Sequence, residues 1–78
     1  MTTFSIRLTS VSDVKLFVEA ASRCRCEVDI LTGRYVVDGK SILGLLSINL
    51  AAPVTVRVCG TEQEAAALKA DAAAFVAE

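Results

Sequence analysis

The sequence contains no histidine and no tryptophan, and only one of its 78 residues is a proline. Without an imidazole, the chain lacks the side chain that ordinarily changes charge near neutral pH and activates a cysteine thiol. Cys24, Cys26 and Cys59 supply at most three sulfur ligands, which is short of a structural zinc set. We therefore expect three reduced, half-buried cysteines that pack as small hydrophobic residues, and no metal or other cofactor.

A strong charge of either sign is also missing, since the formal net charge is −1. Such a chain has no basic field to attract phosphates, so we expect no nucleic-acid partner. No apolar run approaches the roughly 20 residues of a bilayer-spanning helix. Residues 1–8 lack the charged leader and apolar stretch of a signal peptide. These observations predict a cytoplasmic protein with no membrane partner.

Hydrophobic residues make up 54% of the chain, and the mean hydropathy is +0.56. They are chiefly valine, isoleucine, leucine and alanine, because only four residues carry a phenyl or phenol ring. Seventy-eight residues suffice for one core, and a domain this small is stable only when that core is dense. We expect a single domain spanning residues 1–78.

Alternation of apolar and polar residues predicts strands over Thr3–Leu8, Cys26–Ile30 and Val54–Cys59. A turn at Thr32-Gly33 precedes a fourth strand, Arg34–Val37, which completes a hairpin. Each strand then has one apolar face and one face that water can cover. The residues expected on the wet face are Ser5, Arg7, Glu27, Asp29, Thr55 and Arg57.

The segments between and after these strands have apolar residues at helical spacing. Ser12 is predicted to cap a first helix that ends near Arg23, and Ser41 to cap a short helix that runs through Ile48. Thr61–Glu64 is a capping box that begins the last helix. The core-facing residues of the first and last helices are predicted to be Val14, Phe17, Val18, Ala21, Ala65, Leu68, Ala72, Phe75 and Val76. The order β-α-β-β-α-β-α indicates an α+β fold, an antiparallel sheet with helices on one side.

This order and three stretches of sequence resemble the HPr family of the bacterial sugar phosphotransferase system. Glu19–Arg23 is similar to the end of the family's first helix, and Lys40–Ser47 to its regulatory-serine segment, K-S-I-M-G-hydrophobic-M-S. The Thr-capped last helix lies at the family's usual distance. The resemblance covers nearly the whole chain and implies an open-faced sandwich: a four-stranded antiparallel sheet with three helices on one face. It also implies protein partners of the phosphotransferase or catabolite-regulation type.

The family's defining motif, G-hydrophobic-H-A-R-P-A, is absent. An ungapped alignment places Ser10 where the family has its phosphorylated histidine, Ser12 where it has arginine and Asp13 where it has proline. In the family, enzyme I passes a phosphoryl group from phosphoenolpyruvate to the imidazole. A serine phosphate has a far lower transfer potential, and Asp13 would repel the group that an arginine attracts. We therefore predict a degenerate active site with no catalytic residues, no histidine phosphocarrier activity and no enzymatic activity.

Ser41 has two interpretations. The resemblance implies regulatory phosphorylation by an ATP-dependent HPr kinase, as in many Gram-positive bacteria, and a helix N-terminus favours an anion. The alternative is that Ser41 serves only as an N-cap.

The helix after Ser41 has almost no polar side. The resemblance implies partner docking through Ile42, Leu43 and Leu46. The alternatives are burial under Asn49–Pro53 and a homodimer contact. Two functions remain: a regulatory binding module switched at Ser41, or a phosphate-independent structural or interaction protein, a scaffold or homodimer, that keeps only the fold.

Overall fold

The order of strands and helices is the predicted β-α-β-β-α-β-α. A computed structural model describes residues 1–77. Its elements are β1 (Thr2–Ile6), α1 (Val11–Ser22), β2 (Glu27–Thr32), β3 (Tyr35–Asp38), α2 (Ile42–Leu46), β4 (Val54–Cys59) and α3 (Glu62–Asp71), followed by a 3₁₀ turn (Ala73–Phe75). Within these residues, no helix is both long and apolar enough to cross a bilayer.

The four strands form one antiparallel sheet in the order β1-β4-β2-β3, which confirms the predicted α+β class. β1 and β3 are the edge strands. The last described residues cover part of the outer edge of β1, since Val76 forms a bridge with Ile6 and the Ala77 N–H donates to the Ser5 carbonyl at 2.9 Å. No strand among residues 1–77 pairs with the outer edge of β3.

The core lies between the sheet and the helices. As the alternation predicted, one sheet face is buried: Phe4, Ile6, Val28, Ile30, Val54, Val56 and Val58. The helices contribute mainly Val14, Phe17, Val18, Ala20, Ala21, Leu45, Ala65, Leu68 and Ala72. The residues predicted for the opposite face are exposed or half-buried. There Arg57 Nη2 donates to Asp29 Oδ2 at 2.9 Å.

Glycine determines the two ends of β3. The hairpin loop is Gly33-Arg34, one residue later than predicted, because Thr32 pairs with Tyr35 and belongs to β2. Gly33 has φ +53°, and Arg34 has no positive φ, as in the type II′ turn of a two-residue loop. At the other end, a Cβ on Gly39 would lie 2.8 Å from Val28 Cγ1. Gly39 therefore lets the chain turn closely over β2 just before α2.

Several other predicted boundaries are wrong. α2 ends at Leu46, with Ser47 as its C-cap, and does not run through Ile48. α1 is capped by Ser10, not Ser12. β1 ends at Ile6, although Leu8 is buried as predicted, and the Arg7 N–H donates to the Phe75 carbonyl on the outer edge of the sheet. The last helix stops at Asp71, and the 3₁₀ turn carries the chain back toward β1. The predicted core residues Phe75 and Val76 are half-buried and pack against the core from this turn and bridge.

Candidate functional site

The α1 N-terminus, where the family motif would fall, is built around Ser10. Ser10 has extended backbone angles, and its Oγ accepts a hydrogen bond from the Asp13 N–H at 3.1 Å. The Ser10 carbonyl accepts the first helical bond, from Val14 N–H. Ser12 lies exposed in the first turn. The sequence signal for the correct cap was the spacing Ser10-x-x-Asp13, a capping-box pattern with aspartate at the fourth position.

Asp13 closes the loop before α1. Its Oδ2 accepts hydrogen bonds from both the N–H and the Oγ1 of Thr9, each at 3.0 Å. The bond from the Thr9 backbone, helped by that from its hydroxyl, holds the pKa of the Asp13 carboxyl below its usual range. Asp13 therefore carries a negative charge at neutral pH, three residues after Ser10.

A shallow cleft of about 390 Å³ connects this helix start with α2. We call it the α1–α2 cleft. Val11 and Leu46 lie in its wall and are 56% and 44% exposed. Its lining includes Leu8, Ser10, Val11, Val14, Leu46 and Leu50. The structure therefore brings Ser10 and one predicted docking residue, Leu46, to the same surface.

Ser41 is half-buried and is the N-cap of α2, as predicted. Its Oγ accepts from the Gly44 N–H at 3.0 Å, and its carbonyl accepts from the Leu45 N–H at 3.1 Å. The preceding side chain fixes this corner, since Lys40 Nζ donates to the Cys24 carbonyl just beyond α1 at 2.7 Å. No sequence pattern indicated that contact, because it joins residues 16 positions apart.

α2 buries only Leu45. The predicted docking residues Ile42, Leu43 and Leu46 are 38%, 81% and 44% exposed, so the segment Asn49–Pro53 does not bury them. Exposed apolar side chains on a helix of five residues form a surface that a partner can cover. We call these three residues the α2 patch.

The cysteines are free and half-buried. Burial raises the pKa of the Cys24 thiol, so a smaller fraction of this thiol is present as the nucleophilic thiolate at neutral pH. Cys59 lies on the open sheet face with Glu27 and Asp29, and their ligand atoms fall within 4.8 Å of one another. Arg57 already pairs with Asp29 there, and its guanidinium charge opposes binding of a cation at this position.

Comparisons with known proteins identify the family from the sequence and support the fold from solved structures. The family model described as "PTS HPr component phosphorylation site" matches residues 13–78. The crystal structure of the phosphocarrier protein HPr from Bacillus anthracis str. Ames is 25% identical, with 95% of each chain covered and a TM-score of 0.72. The histidine-containing phosphocarrier protein of Mycoplasma is 18% identical, with 99% of this chain and 100% of that chain covered and a TM-score of 0.74. No curated protein sequence matches significantly.

The family match begins three residues after Ser10 and therefore leaves out the start of the motif region. It includes α1 from its third residue and the whole of α2 and α3. A match over residues 13–78, together with the shared fold, shows that this chain, which has no histidine, belongs to the HPr family.

Proposed function

We propose that this protein is a non-enzymatic, cytoplasmic regulatory module that docks partner proteins through the α2 patch and is switched by phosphorylation of Ser41. The proposal includes the loss of phosphoryl relay at the start of α1. The observation that carries it is the exposed α2 patch directly after a capping serine, in a family member that has no histidine. The partners would be proteins of the phosphotransferase or catabolite-regulation type.

The hydrogen bonds at the start of α1 support the loss of relay. Ser10 Oγ is held as the helix cap, and the Asp13 carboxylate is fixed beside the same loop. A carboxylate in this position opposes the approach of a phosphoryl group by charge repulsion. A serine ester formed there would lack the transfer potential needed to pass the group to a sugar transporter component.

The burial pattern of α2 supports docking. One side chain, Leu45, attaches the helix to the core, and the α2 patch faces outward. A monomer gains nothing from three exposed aliphatic side chains on so short a helix, whereas an interface gains apolar contact area. The neighbouring α1–α2 cleft extends this apolar surface through Val11 and Leu50.

The position of Ser41 supports a switch. A phosphate on its Oγ would place close to two negative charges at the start of α2, one residue before Ile42 and two before Leu43. Charge beside an apolar patch changes which partner surfaces fit it, since a partner without a cation there would bury an unpaired charge.

The test is incubation of the purified protein with ATP and an HPr kinase, followed by measurement of its intact mass. We expect one added phosphate on the wild type and on Ser47→Ala, and none on Ser41→Ala. Ser47 is the matched control because it ends the same helix as its C-cap. An unmodified wild type, or a phosphate that persists in Ser41→Ala, would refute the switch.

The cap itself favours a second candidate. The bond between Ser41 Oγ and the Gly44 N–H gives the serine a structural role without any phosphate. The protein would then be a phosphate-independent scaffold that binds constitutively through the same patch. In that case Leu43→Asp abolishes partner binding, whereas Ser41→Ala leaves it unchanged.

A further inference from the structure

The outer edge of β3 pairs with no strand among residues 1–77, although the carbonyl of its last residue, Asp38, accepts from the Ser41 N–H at 3.1 Å. β3 ends the sheet, and Tyr35 and Val36 on it are 70% and 59% exposed. Proteins usually protect an edge strand by keeping it short or with charged side chains, proline, a bulge or a covering segment. β3 has only four residues and ends in Asp38, but it contains no lysine and no proline, and its register with β2 is continuous from Tyr35 to Asp38. By contrast, the C-terminal segment covers part of the edge of β1.

The hydrogen-bond phase of the hairpin shows which groups face this edge. The Gly39 N–H donates to the Val28 carbonyl at 2.7 Å, so this pair is of the hydrogen-bonded kind. Pairs in an antiparallel ladder alternate, so Val37 bonds to β2 in the same way. Val36 therefore directs both its N–H and its C=O away from β2, toward the free edge.

We propose that two copies of this chain pair antiparallel through β3, about a twofold axis at Val36. The two Val36 residues would then exchange their outward N–H and C=O groups as one hydrogen-bonded pair. In this register Tyr35 lies opposite Val37 of the second copy, and Arg34 lies opposite its Asp38.

In this register, the positive charge of Arg34 in each copy faces the negative charge of Asp38 in the other copy. Neither Arg34 nor Asp38 has an ion-pair partner among residues 1–77. Within the monomer Asp38 pairs across the ladder with Asp29, a like charge. The second copy would place a guanidinium beside each Asp38. The symmetry makes two such opposite-charge pairs, which favours a second copy over an unrelated peptide.

A single pair of short strands buries far less than the roughly 800 Å² per partner of a stable interface. The dimer should therefore be weak and concentration-dependent. It does not use the α2 patch, so the inference is independent of the proposed function and can fail or hold separately.

The test is sedimentation equilibrium at low salt from about 10 µM to about 1 mM, the range that so small an interface requires. We expect the wild-type mass to rise from monomer toward dimer. Arg34→Glu and Asp38→Lys should each weaken association by about tenfold or more, since both pairs become repulsive. Val36→Lys should also give a monomer, because Val36 is exposed and a lysine on an edge strand opposes pairing.

Mixing provides the control for folding, because Asp38→Lys also removes the bond from the Lys40 N–H to Asp38 Oδ1. An equimolar mixture of Arg34→Glu and Asp38→Lys should dimerise again, since both opposite-charge pairs re-form between the two variants. Leu43→Asp should dimerise like the wild type. A wild type that stays monomeric throughout this range, or a dimer indifferent to Arg34→Glu, would overturn the proposal.

Discussion

The hydroxyl of Ser10 and the backbone of Asp13 are joined at the start of α1, with Ser10 Oγ accepting from the Asp13 N–H at 3.1 Å. Asp13 in turn accepts from the backbone and the hydroxyl of Thr9. This loop aligns with the phosphorylation site of the family, and here its own capping hydrogen bonds hold it in place. Two stability measurements and one graft test this arrangement.

Ser10→Ala should lower the free energy of unfolding by about 1 kcal/mol, because it leaves the Asp13 N–H without its acceptor. Ser12→Ala should change it by less than about 0.5 kcal/mol, because Ser12 is exposed inside the first turn and alanine is a better helix former. Urea denaturation of the two variants measures both values. Equal losses would contradict the assignment of the cap to Ser10.

Asp13 should make the stability of the fold depend on pH in the acidic range. Its pKa is lowered in the folded state by the bonds from Thr9, so the carboxylate stabilises the fold where it is ionised. This contribution is present above the unfolded pKa of about 4 and is lost as the pH falls through the lower folded value. Asp13→Asn should therefore melt below the wild type at pH 7, and the difference should shrink by pH 2.

Glu19→Gln is the matched control, because it removes the same charge from an exposed position later in α1. Between pH 7 and pH 2, the melting temperature of Glu19→Gln should stay closer to that of the wild type than the melting temperature of Asp13→Asn does. Thermal denaturation followed by circular dichroism gives both series. A difference for Asp13→Asn that stays constant with pH would show that its effect is not electrostatic.

α2 should depend on one side chain for its stability. Leu45 is fully buried, so Leu45→Ala should cost about 2–5 kcal/mol by lost burial and the cavity left behind. Leu43 is 81% exposed, and Leu43→Ala should stay within about 0.5 kcal/mol of the wild type. Denaturation of both variants tests the orientation of the helix. A large loss from Leu43→Ala would mean that the α2 patch is part of the core.

A graft tests the chemistry of the α1 loop. Ser10→His with Ser12→Arg supplies the imidazole and the guanidinium, but the fixed Asp13 carboxylate remains nearby. We expect this double variant to accept phosphate from enzyme I and phosphoenolpyruvate about tenfold or more slowly than the same variant with Asp13→Asn, because the carboxylate repels the transferred group. Equal rates of phosphate acceptance with and without Asp13→Asn would show that the Asp13 carboxylate does not oppose the transfer.

The sheet could be predicted from the sequence because one of its faces is exposed to solvent, so that apolar and polar residues alternate along the strands. Alternation in Val54–Cys59 assigned Val56 to the core and Arg57 to the open face, and the structure has both as predicted. The ends of the elements could not be predicted as well. β1 ends at Ile6 and not at Leu8, and the next residue, Arg7, bonds to Phe75, a contact between distant residues that leaves no local pattern.

The candidate site was predictable only in part. Ser41 was identified as a cap because a serine precedes an apolar run, and its Oγ does bond to Gly44. Ser10 was missed because two serines lie near the helix start and both are plausible caps by residue type. Periodicity could not tell which residues of the nearly all-apolar α2 face the core. The packing of α2 against α1 and β3 decides that Leu45 is buried and Leu43 is exposed.

The most direct test of the central claim is the mapping of phosphate on this protein when it is isolated from cells with active HPr kinase. The claim is that phosphate chemistry is lost at the start of α1 and retained at Ser41. Peptide mass spectrometry should therefore find phosphate on Ser41 and none on residues 9–13. Phosphate on Ser10 or Ser12, or none on Ser41 under these conditions, would contradict the account.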